Sequence, residues 1–285
     1  MNKVISKHIN DETLKQTKGL KRDTIDKYYT KPSVSKQCIE LLKTHINISN
    51  NDLIIEPSAG NGSFIEEIKT LSNNYKFYDL EPEHNEVLKK DFLEIDYKNL
   101  KQTFTNIHII GNPPFGRQSS LAKKFIKKCC LFSNSISFIL PKSFKKDSMK
   151  KCFEKHYHLI SEIDLLENSF LVNDIETNVP CIFQIWQLKN ISRIEIDKKI
   201  PVNFKFIKKE DNPDISFRRV GVNAGMIQTE INKSSQSHYF IKFTNNKTLD
   251  ENLEKLKLIK FNFNNTVGPK SISKQELIDE FNKLI

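Results

Sequence analysis

The sequence predicts an α/β fold in which a doubly wound sheet is followed by a small α+β extension. Short apolar runs alternate with helical segments, and each run ends in a polar, glycine or proline turn. The first three runs are Leu53–Ile55, Lys76–Tyr78 and Ile107–Ile110, which end at Glu56, Asp79 and Gly111–Asn112. After about residue 195 the alternation of apolar runs and helical segments gives way to short strand-like segments, which predicts the extension. Because ligands bind at the carboxyl ends of the strands in such sheets, we expect these turns to form a site.

The remaining elements follow from periodicity and from turn signals. Pro32 is expected to begin a helix, since proline is favoured in a first turn. A second helix should hold Phe64 and Ile68, and a third should cover Ser120–Phe132. Further strands are predicted at Ile136–Leu140, Ile160–Leu166 and Val179–Leu188, with a long loop around Asn168–Asn178 between the last two.

Three regions are predicted along the chain. Residues 1–26 have no sustained periodicity and are expected to form a polar arm, residues 27–195 form the main domain, and residues 196–285 form the extension. In the extension, short strands are predicted at Val202–Ile207, Ile215–Val220 and His238–Phe243. Thr248 with Glu251, and Ser273 with Glu276, have the spacing of capping boxes that begin helices.

Composition limits the classes of protein. The 285 residues are 38% hydrophobic, which is enough for a sizeable core, and no apolar stretch or signal peptide indicates a membrane or secretion. We therefore expect a soluble, cytoplasmic protein. The formal net charge of +10 favours a polyanionic partner. The five cysteines form no CxxC pair, so we expect reduced thiols and no metal site.

The turn after the first strand, Glu56–Phe64, contains Gly60 and Gly62. Glycines there permit a tight turn and leave the backbone accessible to a ligand, although an ordinary strand-to-helix connection is the alternative. The turn lacks the Gly-Lys-Ser/Thr of a phosphate loop. Asp79 ends the next strand, where a carboxylate can accept hydrogen bonds from both hydroxyls of a ribose or can instead cap a helix.

The most informative segment is Asn112-Pro113-Pro114-Phe115, which directly follows a buried strand. Two successive prolines fix the backbone and remove two amide donors. The Pro113 carbonyl and the Asn112 side-chain carbonyl could then accept both N–H bonds of a planar amine, with the Phe115 ring available for stacking. A proline-rich turn with a core phenylalanine is the alternative.

The order of these motifs, together with Tyr28–Pro32 and Asp91–Phe92, resembles the adenine-N6 methyltransferases that use S-adenosylmethionine. The resemblance covers about residues 26–190. It implies a Rossmann-like, seven-stranded methyltransferase sheet and methyl transfer to the exocyclic amine of adenine. A base in a duplex would first have to leave the stack.

The resemblance also implies roles for individual residues. Those with implied roles in holding S-adenosylmethionine are Tyr28, Thr30, Glu56, Ala59, Gly60, Asp79, Asp91 and Phe92. Asn112, Pro113 and Pro114 would form the catalytic turn that grips the target amine. Phe115 would stack on the target base, and Phe170 would contact the base's other face. Phe115 departs from the tyrosine that often ends this motif.

DNA is the preferred substrate, and an RNA adenine methyltransferase is the first alternative. A non-catalytic nucleic-acid-binding subunit and a protein glutamine methyltransferase are further alternatives. Two groups of lysines, Lys123–Lys128 and Lys142–Lys151, lie in segments that begin at the catalytic edge of the predicted sheet. They could contact a phosphate backbone. Arg218 and Arg219 could read base edges or phosphates near the site.

Overall fold

The computed structural model describes residues 28–194, 197–266 and 268–285. The polar arm predicted for residues 1–26, and the boundary predicted at 195, lie outside the described residues. None of the described helices is both long enough and apolar enough to cross a membrane.

The first part of the chain alternates strands and helices, as the sequence predicts. Its elements are β1 (Tyr29–Thr30), α1 (Pro32–His45), β2 (Leu53–Glu56), α2 (Ile65–Lys69), β3 (Asn74–Asp79), β4 (Leu88–Lys89), α3 (Tyr97–Thr103), β5 (Ile107–Gly111), α4 (Ser120–Cys130), β6 (Ser135–Pro141), α5 (Asp147–Lys150), β7 (Tyr157–Asp164), β8 (Phe170–Val172), β9 (Ile175–Thr177) and β10 (Cys181–Leu188). Pro32 occupies the first turn of α1, where its missing amide donor costs nothing.

Seven of these strands form one mixed sheet in the order β4-β3-β2-β5-β6-β10-β7. Neighbours from β4 to β6 are parallel, whereas β10 is antiparallel to both β6 and β7. The chain runs outward from β2 through β3 to β4 and then returns to place β5 on the other side of β2. The strand order therefore reverses between β2 and β5, which is where open α/β sheets bind ligands.

The two faces of the sheet are covered by different helices, which makes the sheet doubly wound. Helices α1 and α2 pack on one face through residues such as Ile39 and Ile68. Helices α3 and α4 pack on the other face through residues such as Leu100 and Ile126. Because both faces are covered, β2, β5 and β6 are buried along their whole length. The predicted fold class is confirmed.

The segment predicted as a long loop around 168–178 instead contains a hairpin. Strands β8 and β9 pair antiparallel, and β8 also pairs with β1, which gives a separate three-stranded sheet. Asn173 and Asp174 have φ angles of 50° and 62°, the left-handed geometry that a tight hairpin turn requires. An ion pair between Lys31, which directly follows β1, and Glu176 of β9 connects the two outer strands of this small sheet.

The extension has its own sheet and its own core. Its elements are β11 (Phe204–Ile207), β12 (Ile215–Arg218), β13 (Ile227–Gln228), β14 (His238–Phe243), α6 (Leu249–Leu256) and α7 (Lys274–Leu284), with strand order β11-β14-β12-β13. Phe217, Ile241 and Phe281 lie at the centre of the core. Both predicted capping boxes are present, at Thr248 and at Ser273.

Candidate active site

A cavity of about 240 Å³ opens at the carboxyl ends of the strands, where the strand order reverses. The loops after β2, β3 and β5 form its walls together with the first strand, β1. The predicted site residues that line it are Tyr28, Thr30, Glu56, Ala59, Gly60, Asp79, Asp91, Phe92, Asn112, Pro113, Pro114 and Phe115. The structure thus brings together twelve of the thirteen predicted site residues.

Asn112 is held in place by both its side chain and its backbone. Its Nδ2 donates hydrogen bonds to the Tyr28 carbonyl at 3.1 Å and to Thr30 Oγ1 at 3.3 Å. The Ser58 hydroxyl donates to the Asn112 backbone carbonyl at 3.1 Å. With Nδ2 engaged by two acceptors, Oδ1 is the remaining polar atom of the amide. No described residue donates a hydrogen bond to it.

The turn that follows Asn112 is rigid and strained. Pro113 is buried, and its carbonyl accepts no hydrogen bond from the described backbone or side chains. Beyond Phe115, Gln118 and Ser119 have φ angles of 53° and 57°, left-handed values that cost energy for residues other than glycine. The Phe115 carbonyl accepts from the amides of the first turn of α4, which fixes the turn against that helix.

Glu56 ends β2 and is an unusual buried acid. Its side chain is 2% exposed, and its Oε2 has no hydrogen-bond partner among the described residues. Burial raises the pKa of its carboxyl well above the usual range, and the nearby charge of Asp79 raises the pKa further. A carboxyl that lines a cavity with an unpartnered oxygen is suited to receive a cationic or hydrogen-bond-donating group of a ligand.

Gly60 and Asp79 form a second polar wall. Gly60 has a φ of +50°, and a Cβ there would lie 3.1 Å from the Tyr29 ring. The Gly60 amide donates to Asp79 Oδ2 at 2.8 Å, while the Glu81 amide donates to Asp79 Oδ1 at 2.8 Å. These two backbone donors fix the carboxylate at the end of β3. Each oxygen keeps further acceptor capacity for a hydroxyl.

Asp91 and Phe92 follow β4 and line the cavity. Asp91 Oδ1 accepts from the Leu93 amide at 2.8 Å, and no described residue donates to its Oδ2. The Phe92 ring stacks on Phe125, with centroids 5.5 Å apart, and is 1% exposed. Most of this ring therefore belongs to the core, so only an edge is left for a ligand.

Phe170 does not reach the cavity, which corrects the expectation that it contacts a base. Its side chain is 0% exposed because β8 pairs with β1, where Phe170 lies opposite Thr30. The ring makes an edge contact with Tyr28, whose centroid is 6.4 Å away. Phe170 thus supports the wall of the cavity from behind.

The predicted lysine groups are only partly available to a phosphate backbone. In the second group, Lys142 and Lys145 pair with Asp164, and Lys150 pairs with Glu162. In the first group, Lys128 donates to the Ile95 carbonyl, whereas Lys123, Lys124 and Lys127 make no hydrogen bond or ion pair with a described residue. Arg218 is held by its own loop, since its Nε donates to the Val220 carbonyl.

A serine, histidine and aspartate also meet in the interior. His108 Nδ1 lies 2.7 Å from Ser135 Oγ, and Nε2 lies 3.3 Å from Asp52 Oδ2. All three side chains are buried, and none lines the cavity. Burial lowers the pKa of His108, so the ring is held neutral. This arrangement satisfies buried polar groups and is not accessible to a substrate.

Several residues of the candidate site were not predicted from the sequence. Ser58 holds the Asn112 backbone, and its place inside the Glu56–Phe64 turn was the available signal. Leu121 and Phe125 of α4 line the cavity as apolar residues, and only the three-dimensional packing of α4 reveals this. The cysteines offer no nucleophile, because burial raises the pKa of Cys130 and Cys152 to about 12.

The fold and the cavity define an α/β domain with a candidate ligand site where the strand order reverses. Residues 48–189 match the model of a family described as the EDM2 methyltransferase-like domain. That span includes the cavity loops after β2, β3 and β5. No curated protein sequence matches the chain.

Several solved structures to which the chain is similar are described as methyltransferases. One is assigned as a class I S-adenosylmethionine-dependent methyltransferase from Listeria monocytogenes (15% identity, TM-score 0.42, 59% of this chain and 62% of that chain). Another is the type I restriction-modification methyltransferase subunit from Streptococcus thermophilus (16%, 0.43, 59% and 46%). A third is the N-methyltransferase NodS from Bradyrhizobium japonicum with S-adenosyl-L-homocysteine (10%, 0.38, 55% and 86%). The chain spans less than two thirds of the first two proteins.

Proposed function

We propose that this protein transfers a methyl group from S-adenosylmethionine to the exocyclic N6 amine of adenine in DNA. The observation that carries the proposal is the placement of Asn112. Its amide nitrogen donates to Tyr28 and Thr30, which leaves Oδ1 as the free acceptor, and Asn112 lines a cavity that also contains the unpartnered Oε2 of Glu56.

The residues of the cavity fit this cofactor. Glu56 offers a buried oxygen without a partner, which suits the amino-acid end of the molecule. Asp79 is fixed by two amides and retains acceptor capacity for the ribose hydroxyls. Asp91 keeps one carboxylate oxygen for the adenine amine. A Cβ at Gly60 would crowd the ring of Tyr29, which also lines the cavity.

When bound, S-adenosylmethionine supplies a methyl group already activated on a sulfonium. The protein must then position and activate a poor nucleophile, since the lone pair of the adenine amine is delocalised into the ring. Asn112 Oδ1 and the Pro113 carbonyl can accept its two N–H bonds. This pushes the nitrogen toward tetrahedral character and stabilises the positive charge that develops on it. Phe115 can stack on the base and hold the amine in line.

Two features support a nucleic-acid substrate over a protein side chain. The net charge of +10 favours a polyanion. In addition, Lys123, Lys124 and Lys127 lie on α4 directly after the catalytic turn. We place DNA before RNA because the motif order resembles that of DNA adenine methyltransferases. An RNA adenine methyltransferase is the alternative that the experiment below separates.

The experiment is a competition between acceptors. The protein is incubated with methyl-labelled S-adenosylmethionine and equal concentrations of duplex DNA, structured RNA and a glutamine-containing peptide. We expect label in DNA and a mass increase on adenine only. Label predominantly in RNA would favour the alternative, an RNA adenine methyltransferase. Label only in the peptide would contradict a nucleic-acid substrate.

A further inference from the structure

The extension contains a second cavity, of about 850 Å³, on one side of its sheet. Residues of β11, β14 and the loop before β14 line it, together with Lys274 at the start of α7. Its lining includes Lys208, Lys209, Arg219 and Lys274, as well as hydroxyl groups, and contains the single acid Glu210. Such a lining is strongly cationic.

Aromatic rings hold two of these cations in position. The Lys274 ammonium lies 4.7 Å from the centroid of Phe206 and 5.8 Å from that of Tyr239. The Arg219 guanidinium lies 5.3 Å from the Tyr239 centroid. The two rings pack edge to face at 5.6 Å. The cations are therefore preorganised by their contact with aromatic faces, which do not neutralise their charge.

Three of the lining cations are not neutralised by acids, whereas a fourth, Lys233, pairs with Glu230. Arg219 donates to the Gln236 carbonyl and to the Tyr239 hydroxyl, which leaves part of its donor set unused. Lys209 donates to the neutral Asn232. Among the described residues, neither Lys209, Arg219 nor Lys274 forms an ion pair with a carboxylate. This contrasts with Lys142, Lys145 and Lys150, which all do.

One end of the second cavity, at the start of α7, is joined to the segment that follows β6 of the large sheet. Strand β6 ends at Pro141, at the carboxyl edge of the large sheet, and Lys146 follows shortly after. Lys146 Nζ donates to Ser271 and pairs with Glu276 at 3.4 Å, in the first turn of α7. Lys274 lies within that same turn. The start of α7 is thus joined to the edge of the sheet that carries the catalytic turn.

We propose that this cationic cavity binds the phosphodiester backbone of the DNA whose adenine enters the active site. The inference rests on the proposed function for the identity of the polymer. Lys209, Arg219 and Lys274 would contact phosphates outside the target nucleotide, which positions the duplex without reading its sequence. The extension is then the part of the protein that holds the substrate while the large sheet carries out the chemistry.

The test measures binding, without cofactor, of a fluorescein-labelled 30-base-pair duplex over a range of salt concentrations. The test protein is the double variant Lys209→Gln, Lys274→Gln. The matched control is the double variant Lys257→Gln, Lys283→Gln. These two control lysines are exposed residues of the same extension and pair with acids of their own helices. The slope of log K against log salt is negative, and each lost phosphate contact should lower its magnitude by about 0.9 and weaken binding about tenfold at 0.1 M salt. Lys274→Arg should retain wild-type binding, which separates loss of charge from misfolding.

The outcomes separate this inference from the proposed function. A salt-dependence slope of lower magnitude in the Lys209→Gln, Lys274→Gln variant, but not in the control variant, supports the inference. An unchanged slope, or equal losses in the control variant, overturns it even if adenine is methylated. Conversely, a slope of lower magnitude with no methyl transfer to DNA would leave the binding site standing and overturn the proposed function. Binding confined to a duplex RNA of the same length would overturn the DNA assignment of both.

Discussion

The side-chain nitrogen of Asn112 donates a hydrogen bond to the backbone carbonyl of Tyr28, 84 positions earlier in the sequence, at 3.1 Å. A carbonyl can only accept, so this contact fixes which end of the amide faces it. The acceptor Oδ1 is thereby assigned to the other side. The residue that precedes the first strand thus determines the polarity of the Asn112 amide.

Replacing Asn112 tests that polarity. Asn112→Ala should lower kcat for methyl transfer by 100-fold or more, because one of the two acceptors for the amine is lost, by analogy with the loss of one polar group that stabilises a transition state. Cofactor affinity, measured by calorimetry, should change little. Asn99→Ala, an exposed asparagine on α3, is the matched control. Comparable loss of activity in both variants would contradict the assignment.

Thr30 is expected to act as a positioning residue through Asn112. Thr30→Val removes the second acceptor for Asn112 Nδ2, and a hydrogen bond of this kind contributes about 0.5–1.5 kcal/mol. We expect kcat to fall by about 2- to 10-fold while KM for DNA is unchanged. Thr30→Ser, which restores the hydroxyl, should recover the rate. A Thr30→Val variant as fast as wild type, or a Thr30→Ser variant as slow as Thr30→Val, would contradict this role of the hydroxyl.

Glu56 should make cofactor binding depend on pH. Burial, and then Asp79, raise the pKa of its carboxyl, so the ligand-free protein carries a proton there that a bound ammonium would displace. Affinity for S-adenosylmethionine should therefore rise with pH above the normal glutamate range. Calorimetry in two buffers of different ionisation enthalpy should detect proton release. A binding enthalpy that is independent of the buffer would contradict this.

The same carboxyl should destabilise the ligand-free protein at high pH. Because the folded pKa is raised above the unfolded value, the folded state binds more protons, and its stability falls as pH rises from the unfolded to the folded pKa. Glu56→Gln removes this dependence. The variant should therefore gain Tm relative to wild type as pH increases, although it loses cofactor affinity. A Tm difference that stays constant with pH would show that Glu56 is ionised throughout.

Gly111 is expected to be irreplaceable for geometric reasons. Its φ is +146°, and a Cβ would lie 3.1 Å from Glu56 Cγ. Gly111→Ala should cost about 1–3 kcal/mol of unfolding free energy in urea titrations. Gly268→Ala is the control, since no atom lies within 4 Å of its added Cβ, and it should change stability by less than about 0.5 kcal/mol. Equal stability of the two variants would refute the clash.

The large sheet and most of the cavity were predictable because their signals are local. Each strand ends in its own motif, and parallel strands bring their carboxyl ends to one edge. Glu56, Asp79 and Asn112 therefore converge without any knowledge of side-chain packing. Short strands such as Leu88–Lys89 have no comparable signal, because two exposed residues show no alternation.

What could not be predicted depends on contacts between distant segments. Phe170 is buried because β8 pairs with β1, which brings it opposite a residue 140 positions away. The lysines that follow β6 are paired with Asp164, Glu162 and Glu276, which the charge pattern alone does not bring near them. The second cavity combines residues from four separate segments, of which only Arg219 attracted attention in the sequence.

The most direct test of the account is mass spectrometry of nucleosides from duplex DNA treated with the protein and S-adenosylmethionine. We expect N6-methyldeoxyadenosine with wild-type protein and none above background with Asn112→Ala. If a wild-type protein that binds the cofactor produces no methylated adenine in DNA, or if Asn112→Ala produces as much as wild type, the central claim is contradicted.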